Sequence, residues 1–293
     1  MILVVGATGT LGNLVTRALI AKGHSVRALT RNPSKATALA AAGAEVVRGD
    51  LRDVESLRSA THDVSTVVSA AHSILGRGAD SSEAIDDTGQ RSLIDAAKNA
   101  GVEHFVFTSV RGASPDHPVD FWRTKFKVER YLVDSGLAWT IVRPTAFIEM
   151  HAYELIGKAV MSGRRVVMFG PGKNPRNFVA AKDVAALIVL AIEDESLRGE
   201  IIEIGGPENL SSAQVAETFE KAGGRKAKVS HLPLGLVSVL SRAFRQVHPG
   251  VSRVMSAGVV SETTDQTFDP TQFLARYPIR LTPLEEWASI ELR

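Results

Sequence analysis

The stretch that decides the fold is ILVVGATGTLG, residues 2–12, where a short β-branched run leads into a loop with three glycines. The run is typical of a buried strand, and the residues after it space their apolar side chains on one face of a helix that ends at Gly23. Gly6 would make the tight turn, Gly9 would let a phosphate approach the backbone, and Gly12 would let helix and strand pack closely. Because the loop follows a strand and opens a helix, it predicts a dinucleotide site with the pyrophosphate at the helix amino end. A tight turn that binds nothing is the alternative.

Strand and helix patterns alternate six times between Met1 and Pro144. The later strands are HSVRALTR, AEVVRGD, DVSTVVSAA, EHFVFTSV and AWTIVRP, and they are apolar almost throughout. Such runs are typical of a parallel sheet covered by helices on both faces, so the predicted fold is α/β, a Rossmann-like doubly wound parallel sheet. The later predicted helices are PSKATALAAAG, with Pro33 in its first turn, VESLRSAT, EAIDDTGQRSLIDAAKNAG and one that contains DFWRTKFKVE.

The end of the second predicted strand indicates which dinucleotide is bound. An enzyme that uses NAD has an acidic residue there for the ribose hydroxyls, whereas this chain has Thr30, Arg31 and Asn32, with Lys35 just beyond. A guanidinium can bind a 2′-phosphate through two hydrogen bonds, so we predict NADP(H) with Arg31 as the main determinant. The alternative is that Arg31 is a solvated surface residue. Asp50, after the third strand, is predicted either to accept a hydrogen bond from the adenine amino group or to cap the next helix.

Beyond Pro144 the pattern is less regular, which predicts a smaller, mixed C-terminal region. VVMFGPG, RNFVAAKDVAALIVLAIED and GEIIEIGG indicate further strands and a helix, and SSAQVAETFEKAGG is an amphipathic helix with a serine cap. We predict an NADP-binding Rossmann core at residues 1–144 with return segments near 177–205. Residues 145–176 and 206–293 form the predicted substrate-binding region.

Composition excludes several classes of function. The chain has 293 residues, is 44% hydrophobic and carries a formal net charge of +2 without a basic run, which argues against nucleic acid as a partner. Without cysteine it has no disulfides, thiolate zinc sites or cysteine nucleophiles, and its scattered histidines predict no metal site. The longest late apolar run, VAALIVLAI, is about half a membrane span. A cytoplasmic monomer or homodimer without a membrane span is therefore expected.

Several motifs together resemble the short-chain dehydrogenase/reductases. They are GATGTLG, GDL, a serine that ends the fifth strand (Ser109), Lys125 with Glu129 four residues on, and VRPTAF after the sixth strand. The resemblance is to the atypical NmrA-like group, which includes NADPH-dependent quinone, dye and isoflavone-type reductases and non-catalytic redox regulators. GGRKAKVSHLPL also resembles the photosystem assembly factors of that group.

The resemblance implies a catalytic set from which one member is missing. Ordinary enzymes of the superfamily use serine, tyrosine and lysine, and this chain has Ser109, Phe121 and Lys125 at those positions. A phenyl ring has no proton to give, so the usual carbonyl reduction is closed. The resemblance implies that Lys125 binds the nicotinamide ribose, and burial would let it serve as a general acid. The alternatives are a surface lysine paired with Glu129 and a plain strand-end serine at Ser109.

Ligands of open parallel sheets bind beyond the carboxyl ends of the strands, and this locates the remaining site residues. The resemblance implies that residues after the sixth strand, Thr145 among them, flank the nicotinamide. The predicted cofactor-binding residues are Gly6, Thr8, Gly9, Thr10, Leu11, Gly12, Arg31, Lys35, Asp50, Leu51, Ala70, Ala71, Ser109, Lys125, Pro144 and Phe147. The predicted substrate contacts are Phe121, Trp122, Phe147, Met150, His151 and Phe178, with Phe169 as a further aromatic candidate and His72 and His151 as candidate proton carriers. Core packing is the alternative for each aromatic residue.

Two functions fit these features. The first is an NADPH-dependent reductase of a small aromatic or quinone-like acceptor, supported by the glycine loop, Arg31 and Lys125. The second is a non-catalytic NADP(H)-binding redox sensor or an assembly or regulatory protein with a protein partner, favoured by Phe121. Its contact face would be the basic stretch Leu240–Met255, for which a packed pair of helices is the alternative.

Overall fold

A computed structural model describes residues 1–291 of the chain, which form two compact units. The first unit comprises residues 1–143 and 184–203, and the second comprises residues 144–183 and 204 onward. The segment that returns to the first unit is residues 184–203. Residues 177–183 belong to the second unit because Asn177 and Asp183 bond there, to Gly206 and to Thr282.

Strands and helices alternate through the first unit. They are β1 (Ile2–Val5), α1 (Thr10–Ala21), β2 (Val26–Thr30), α2 (Thr37–Ala41), β3 (Glu45–Arg48), α3 (Val54–Thr61), β4 (Thr66–Ser69), α4 (Gln90–Asn99), β5 (His104–Thr108), α5 (Asp120–Val133) and β6 (Trp139–Pro144). The strands are short and rich in β-branched residues, and β1, β4 and β5 are buried along their whole length.

The remaining elements follow β6. They are β7 (Ala146–Phe147), α6 (Lys158–Met161), β8 (Arg165–Phe169), β9 (Arg176–Val179), α7 (Ala181–Glu193), β10 (Glu200–Ile204), β11 (Asn209–Leu210), α8 (Ser212–Gly223), β12 (Lys228–Leu232), α9 (Leu234–Val247), α10 (Pro249–Thr263), α11 (Thr271–Arg276) and α12 (Leu284–Glu291). The predicted serine cap is confirmed, since Ser211 caps α8 and forms a capping box with Gln214.

The main sheet has seven strands in the order β10-β6-β5-β4-β1-β2-β3. The pairs from β3 to β6 are parallel, and Val5 of β1 lies beside Leu29 of β2 and Ser69 of β4. From β1 the chain adds β2 and β3 on one side, and from β4 it adds β5 and β6 on the other. Ligands of doubly wound sheets bind at the point between two such halves, which here lies between β1 and β4. The glycine loop after β1 and the segment after β4 therefore flank the expected binding crevice.

Each unit has its own apolar core. The core of the first unit includes Leu3, Val5, Leu57, Val67, Leu93, Ile94, Phe105, Phe107, Val128, Leu132 and Ile141, all fully or almost fully buried. The core of the second unit includes Ile148, Val166, Met168, Phe178, Val215, Phe219 and Trp287. The second unit also holds a three-stranded sheet, β11-β9-β7, and a pair of parallel strands, β12 and β8.

Two helices differ from the predicted ones. The segment that begins at Pro33 is a single 3₁₀ turn, Pro33–Ala36, followed by the five-residue α2. The long helix predicted from Glu83 begins as a π-helical segment, Glu83–Gly89, and becomes α-helical only at Gln90. A π-helical turn shifts the side chains that follow it, and such turns are frequent at functional sites.

His104 at the start of β5 is a buried histidine held by a hydroxyl relay. Its Nε2 lies 2.9 Å from Thr140 Oγ1, which donates to the carbonyl of Leu197 at 2.8 Å. Thr140 can therefore only accept from His104, so Nε2 of the ring carries a proton. Burial, with a smaller contribution from the positive charge of Arg198, lowers the pKa of His104 to about 4.

We expect the protein to lose stability in acid through His104. Its pKa is lower in the folded than in the unfolded chain, so the unfolded chain binds the proton first as pH falls. The stability is fully present above about pH 6.5 and is lost between that pH and pH 4, at a cost of about 3 kcal/mol. The His104→Gln variant, which keeps the donor to Thr140, should lose correspondingly less free energy of unfolding in denaturant titrations over this range. The exposed His62→Gln variant is the control, and equal slopes for His104→Gln and wild type would contradict the assignment.

Candidate active site

The glycine loop has the shape predicted for a phosphate cradle. Gly6 has a φ of +84°, and a Cβ atom there would lie 2.8 Å from the backbone nitrogen of Ala71. A Cβ at Gly12 would lie 2.2 Å from the carbonyl oxygen of Gly6, so side chains are excluded at both positions. Gly9 is the N-cap of α1 and provides no side-chain cap, which leaves the first N–H groups of the helix to bind an anion. Thr8 and Thr10 are exposed beside these groups, and Leu11 is buried.

The segment after β4 closes the other side of this cradle. Ser69 donates its hydroxyl proton to Gln90 Oε1 at 2.7 Å, and Gln90 Nε2 donates to the carbonyl of Ala71 at 3.2 Å. Gln90 is completely buried and fixes the backbone of Ala70 and Ala71, whose side chains remain half-buried. Sequence reasoning missed Gln90, since its partners lie about twenty positions away in the chain.

Arg31 follows β2, as predicted, and its side chain is 59% exposed. Its guanidinium is not simply solvated, because one NH group donates to Asp80 at 2.7 Å. Lys35 is exposed in the 3₁₀ turn after it. Arg31 and Lys35 therefore offer positive charge on the β2 side of the crevice, where a 2′-phosphate would bind.

Asp50 is held by its neighbour Arg52. Both of its carboxylate oxygens accept hydrogen bonds from the guanidinium, at 2.9 and 2.5 Å, and this contact lowers the pKa of Asp50. The prediction that Asp50 might cap the next helix is wrong, because Asp53 caps α3 by accepting from the backbone N–H groups of Glu55 and Ser56. Leu51 belongs to the core of the first unit.

Lys125 is buried, with 3% of its surface exposed. Its ammonium donates to the carbonyl oxygen of Thr108 at 3.0 Å and lies 4.7 Å from the ring centre of Phe107 and 5.6 Å from that of Phe121. Burial lowers the pKa of Lys125 below its ordinary value, and the negative charges of Asp86 and Glu129 offset only part of this effect.

The alternative of a surface lysine paired with Glu129 is wrong. Glu129 is itself 2% exposed and binds Arg143 instead, through two hydrogen bonds of 2.9 and 2.6 Å. This bidentate pair ties α5 to β6. Within residues 1–291 no carboxylate lies within ion-pair distance of Lys125, so its ammonium group remains available to a ligand.

Two buried hydroxyls stand at the end of β5. Thr108 Oγ1 and Ser109 Oγ have no hydrogen-bond partner among the described residues, although both side chains are less than 9% exposed. An unpaired buried hydroxyl costs free energy, so such groups are usually found where a ligand or water completes them. The sequence indicated Ser109 as a candidate but not Thr108, whose carbonyl accepts from Lys125.

Phe121 takes the position of the missing tyrosine. It is 7% exposed, and its ring meets those of His72 and Trp122 edge to face, at 6.3 and 5.7 Å between centroids. Trp122 stacks on His117 at 4.9 Å and donates its indole N–H to the carbonyl of Arg111. Phe121 thus lies one helical turn from Lys125 with no exchangeable proton. Tyr131 does not replace the phenol, because its hydroxyl is bonded to Asp95 at 2.8 Å.

The other predicted residues lie in the second unit. Thr145 donates to Asn177, and Pro144 and Phe147 flank it at β6 and β7. Met150 is 45% exposed, and His151 Nδ1 lies 3.3 Å from the carbonyl of Phe147. Phe178 lies on β9, which pairs with β7 so that Phe178 stands beside Ala146. Phe178 is 3% exposed in the core, with Arg176 against its ring, and Phe169 packs on α10 at Gly258, which favours the packing alternative for both.

The described part of the chain has neither a clustered set of metal-ligating side chains nor a membrane-spanning helix. Among residues 1–291 no group of three or more histidine, aspartate or glutamate side chains is arranged to hold a metal ion. None of the helices in that range has both the length and the apolar character needed to cross a bilayer. In the stretch Leu240–Met255, α9 and α10 pack against each other through Ser241, Ser252 and Ser256, as in the alternative of a helix pair.

Fold and glycine loop together place the chain among the short-chain dehydrogenase/reductase-like proteins. Within that class it belongs to the NmrA-like family, whose sequence profile matches residues 1–270. The family resemblance and the Rossmann-like fold predicted from the sequence are therefore confirmed.

Proteins similar to this chain in sequence or structure include both reductases and an assembly factor. An NAD(P)H azoreductase of Xenophilus azovorans is 31% identical over 291 residues, covering 94% of this chain and 96% of that protein. The photosystem II assembly factor Ycf39 of Synechocystis is 27% identical over 297 residues, covering 98% of this chain and 89% of the relative. The solved NADPH complex of the quinone oxidoreductase QOR2 of Escherichia coli has a TM-score of 0.80 and 26% identity, with 100% of both chains covered.

Proposed function

We propose that this protein is an NADPH-dependent reductase of a small aromatic or quinone-like acceptor. The observation that carries the proposal is the buried Lys125, whose pKa is lowered and whose ammonium group has no carboxylate partner, close to the unpartnered hydroxyls of Thr108 and Ser109 at the end of β5. Groups with perturbed pKa values at the carboxyl ends of parallel strands are typical of catalytic sites. The azoreductase and quinone oxidoreductase relatives support the same class of reaction.

The cofactor proposal depends on the glycine cradle. Side chains are excluded at Gly6 and Gly12 by backbone atoms, and the amino end of α1 faces the same loop, so this part of the chain fits a pyrophosphate. Arg31, with Lys35 nearby, would hold the 2′-phosphate and so favour NADPH over NADH. When bound, NADPH supplies the hydride.

The protein's own residues would orient the reactants and move one proton. Lys125 would donate a hydrogen bond to the nicotinamide ribose, and its lowered pKa would let it release a proton near neutral pH more readily than an ordinary lysine. The Ser109 hydroxyl would donate to an acceptor oxygen or nitrogen. Because Phe121 cannot give a proton, acceptors that gain theirs from water or from Lys125 are favoured over simple ketones.

The proposed acceptor contacts on α5 are the buried Phe121 and the half-buried Trp122, whose rings meet edge to face. Phe147, Met150 and His151, half-buried or exposed, are separate candidates on the second unit. Aromatic and thioether side chains suit a flat apolar acceptor. The proposal includes a cytoplasmic setting, a monomer or homodimer and no nucleic-acid partner.

The second candidate function is an NADP(H)-binding sensor or assembly protein that turns nothing over. Phe121 favours it because the usual proton donor is missing, and the assembly-factor relative Ycf39 supports it. In that case NADPH would be a structural or sensed ligand, and the contact with a protein partner would be the functional step.

An acceptor panel separates the two functions. Purified protein is mixed with NADPH and a quinone, an azo dye, a triphenylmethane dye or a simple ketone, and the loss of NADPH absorbance is followed. We expect oxidation with quinone or dye, little with the ketone and none without acceptor. Tight NADPH binding with no oxidation by any acceptor would favour the sensor. Rapid ketone reduction would contradict the assigned loss of the tyrosine route.

A further inference from the structure

Asp80 lies at the guanidinium that the 2′-phosphate would need. Arg31 donates to Asp80 Oδ1 at 2.7 Å, although the two residues are separated by 49 positions in the chain. Arg52 reaches the same oxygen at 3.1 Å while it holds Asp50 with its other NH group. Asp80 is therefore shared by two cations on the side of the crevice where Arg31 stands.

The position of Asp80 is set by its loop. The buried carboxylate of Asp86 accepts from the backbone N–H of Ser73 at 3.0 and 3.2 Å, and the Ser73 hydroxyl donates to the carbonyl of Asp80 at 2.5 Å. The N–H of Asp80 donates to the carbonyl of Arg77 at 3.1 Å. These contacts fix the backbone that carries Asp80, so its carboxylate stays within reach of Arg31, whose own side chain is 59% exposed.

From this geometry we infer that Asp80 is a specificity-determining residue that competes with the 2′-phosphate of NADPH for Arg31. The inference rests on the proposed function. A phosphate group carries a charge of about −1.5 to −2 at neutral pH and cannot share the guanidinium with a carboxylate without repulsion. NADPH must therefore displace Asp80 or bind against its negative charge, whereas NADH, which has a neutral hydroxyl at that position, meets no such repulsion.

With such competition, only molecules in which Arg31 is free bind NADPH at full strength. The apparent affinity for NADPH is therefore the affinity of those molecules multiplied by the fraction that they make up. The pair is about half exposed on both sides, so displacement is feasible and its cost is modest. Asp80 would thereby lower the ratio of NADPH affinity to NADH affinity below the value that Arg31 alone would give.

The test is calorimetric titration of NADPH and NADH into wild type and the isosteric, uncharged Asp80→Asn variant. We expect the Kd for NADPH to fall about two- to tenfold, while the Kd for NADH changes less than about twofold. The gain should shrink at high salt, because an exposed charge effect is screened. In an Arg31→Ala background the Asp80→Asn change should have no effect on NADPH, because the contested group is gone.

Asp134→Asn is the matched control, since Asp134 forms an exposed pair with Arg130 at 3.3 Å elsewhere on the first unit. Weaker NADPH binding by Asp80→Asn, or an equal change for both cofactors, would overturn the inference. A selective loss of NADH binding would overturn it too, by showing that Asp80 binds a ribose hydroxyl. Thermal unfolding of the variant checks the fold, and Asp80→Ser serves as a second variant if asparagine lowers the Tm. If the wild-type protein binds neither cofactor, the proposed function is wrong as well. If the wild-type protein binds NADPH and the Asp80→Asn change does not alter that binding, only the inference about Asp80 is wrong.

Discussion

The Lys125→Met variant is expected to reduce acceptors about 10² to 10⁴ times more slowly than wild type, the usual contribution of a positioned acid or base. Methionine has nearly the length of lysine but no donor and no charge, so both the ribose contact and the proton source disappear. The variant should fold at least as stably, because burial already disfavours the ammonium form at this position. The measurements are the steady-state rate with the acceptor found in the panel and the Tm.

Lys127→Met provides the comparison, because Lys127 lies on the same helix but is exposed. It should leave the rate within about twofold of wild type, as is usual for surface substitutions. If Lys125→Met kept a third or more of the wild-type rate, the lysine would have no chemical role. The wild-type rate should also fall with rising pH below the ordinary lysine value of 10.5, since the lowered pKa means that the proton is lost earlier.

The Gly12→Ala variant is expected to lose NADPH binding by about 10²-fold or more, a loss of the size that small misplacements in a binding site produce. The added Cβ would lie 2.2 Å from the oxygen and 2.7 Å from the carbon of Gly6, and backbone atoms cannot move aside cheaply. The start of α1 must then shift away from the loop, and its N–H groups no longer converge on the phosphates. Calorimetry with NADPH measures the loss.

The same chemical change at Gly235 is the control, because a Cβ there meets nothing within 4 Å. Gly235→Ala lies in α9 and should leave NADPH binding unchanged, with stability equal or slightly higher. A Kd for Gly12→Ala within threefold of wild type would mean that the loop binds no phosphate, and the cofactor proposal would fall with it.

The glycine loop and the parallel core could be predicted from the sequence because their signals are local. Three glycines between a strand and a helix indicate a tight turn with close backbone packing, and continuous apolar strands indicate burial on both faces of a sheet. Phe121 and Lys125 could be placed on one helical face for the same reason, since spacing in a helix fixes direction. The structure confirms the predicted fold and buries Lys125 on that face.

The rest of the site depends on partners that are distant in the sequence. No local pattern indicates that Glu129 binds Arg143 in place of Lys125, or that Asp80 reaches Arg31. The π-helical segment before Gln90 is equally hidden, because the apolar spacing of the sequence continues into the helix and does not distinguish a π turn from an α turn. Long-range pairing of charges is decided by packing and desolvation in three dimensions, so sequence spacing supplies only a list of candidates.

The Glu129–Arg143 pair joins α5 to β6 without using the ammonium group of Lys125. Because Arg143 neutralises Glu129, the integrity of α5 and β6 does not depend on the ammonium group next to them. A change at Lys125 or in its protonation should therefore leave α5 joined to β6.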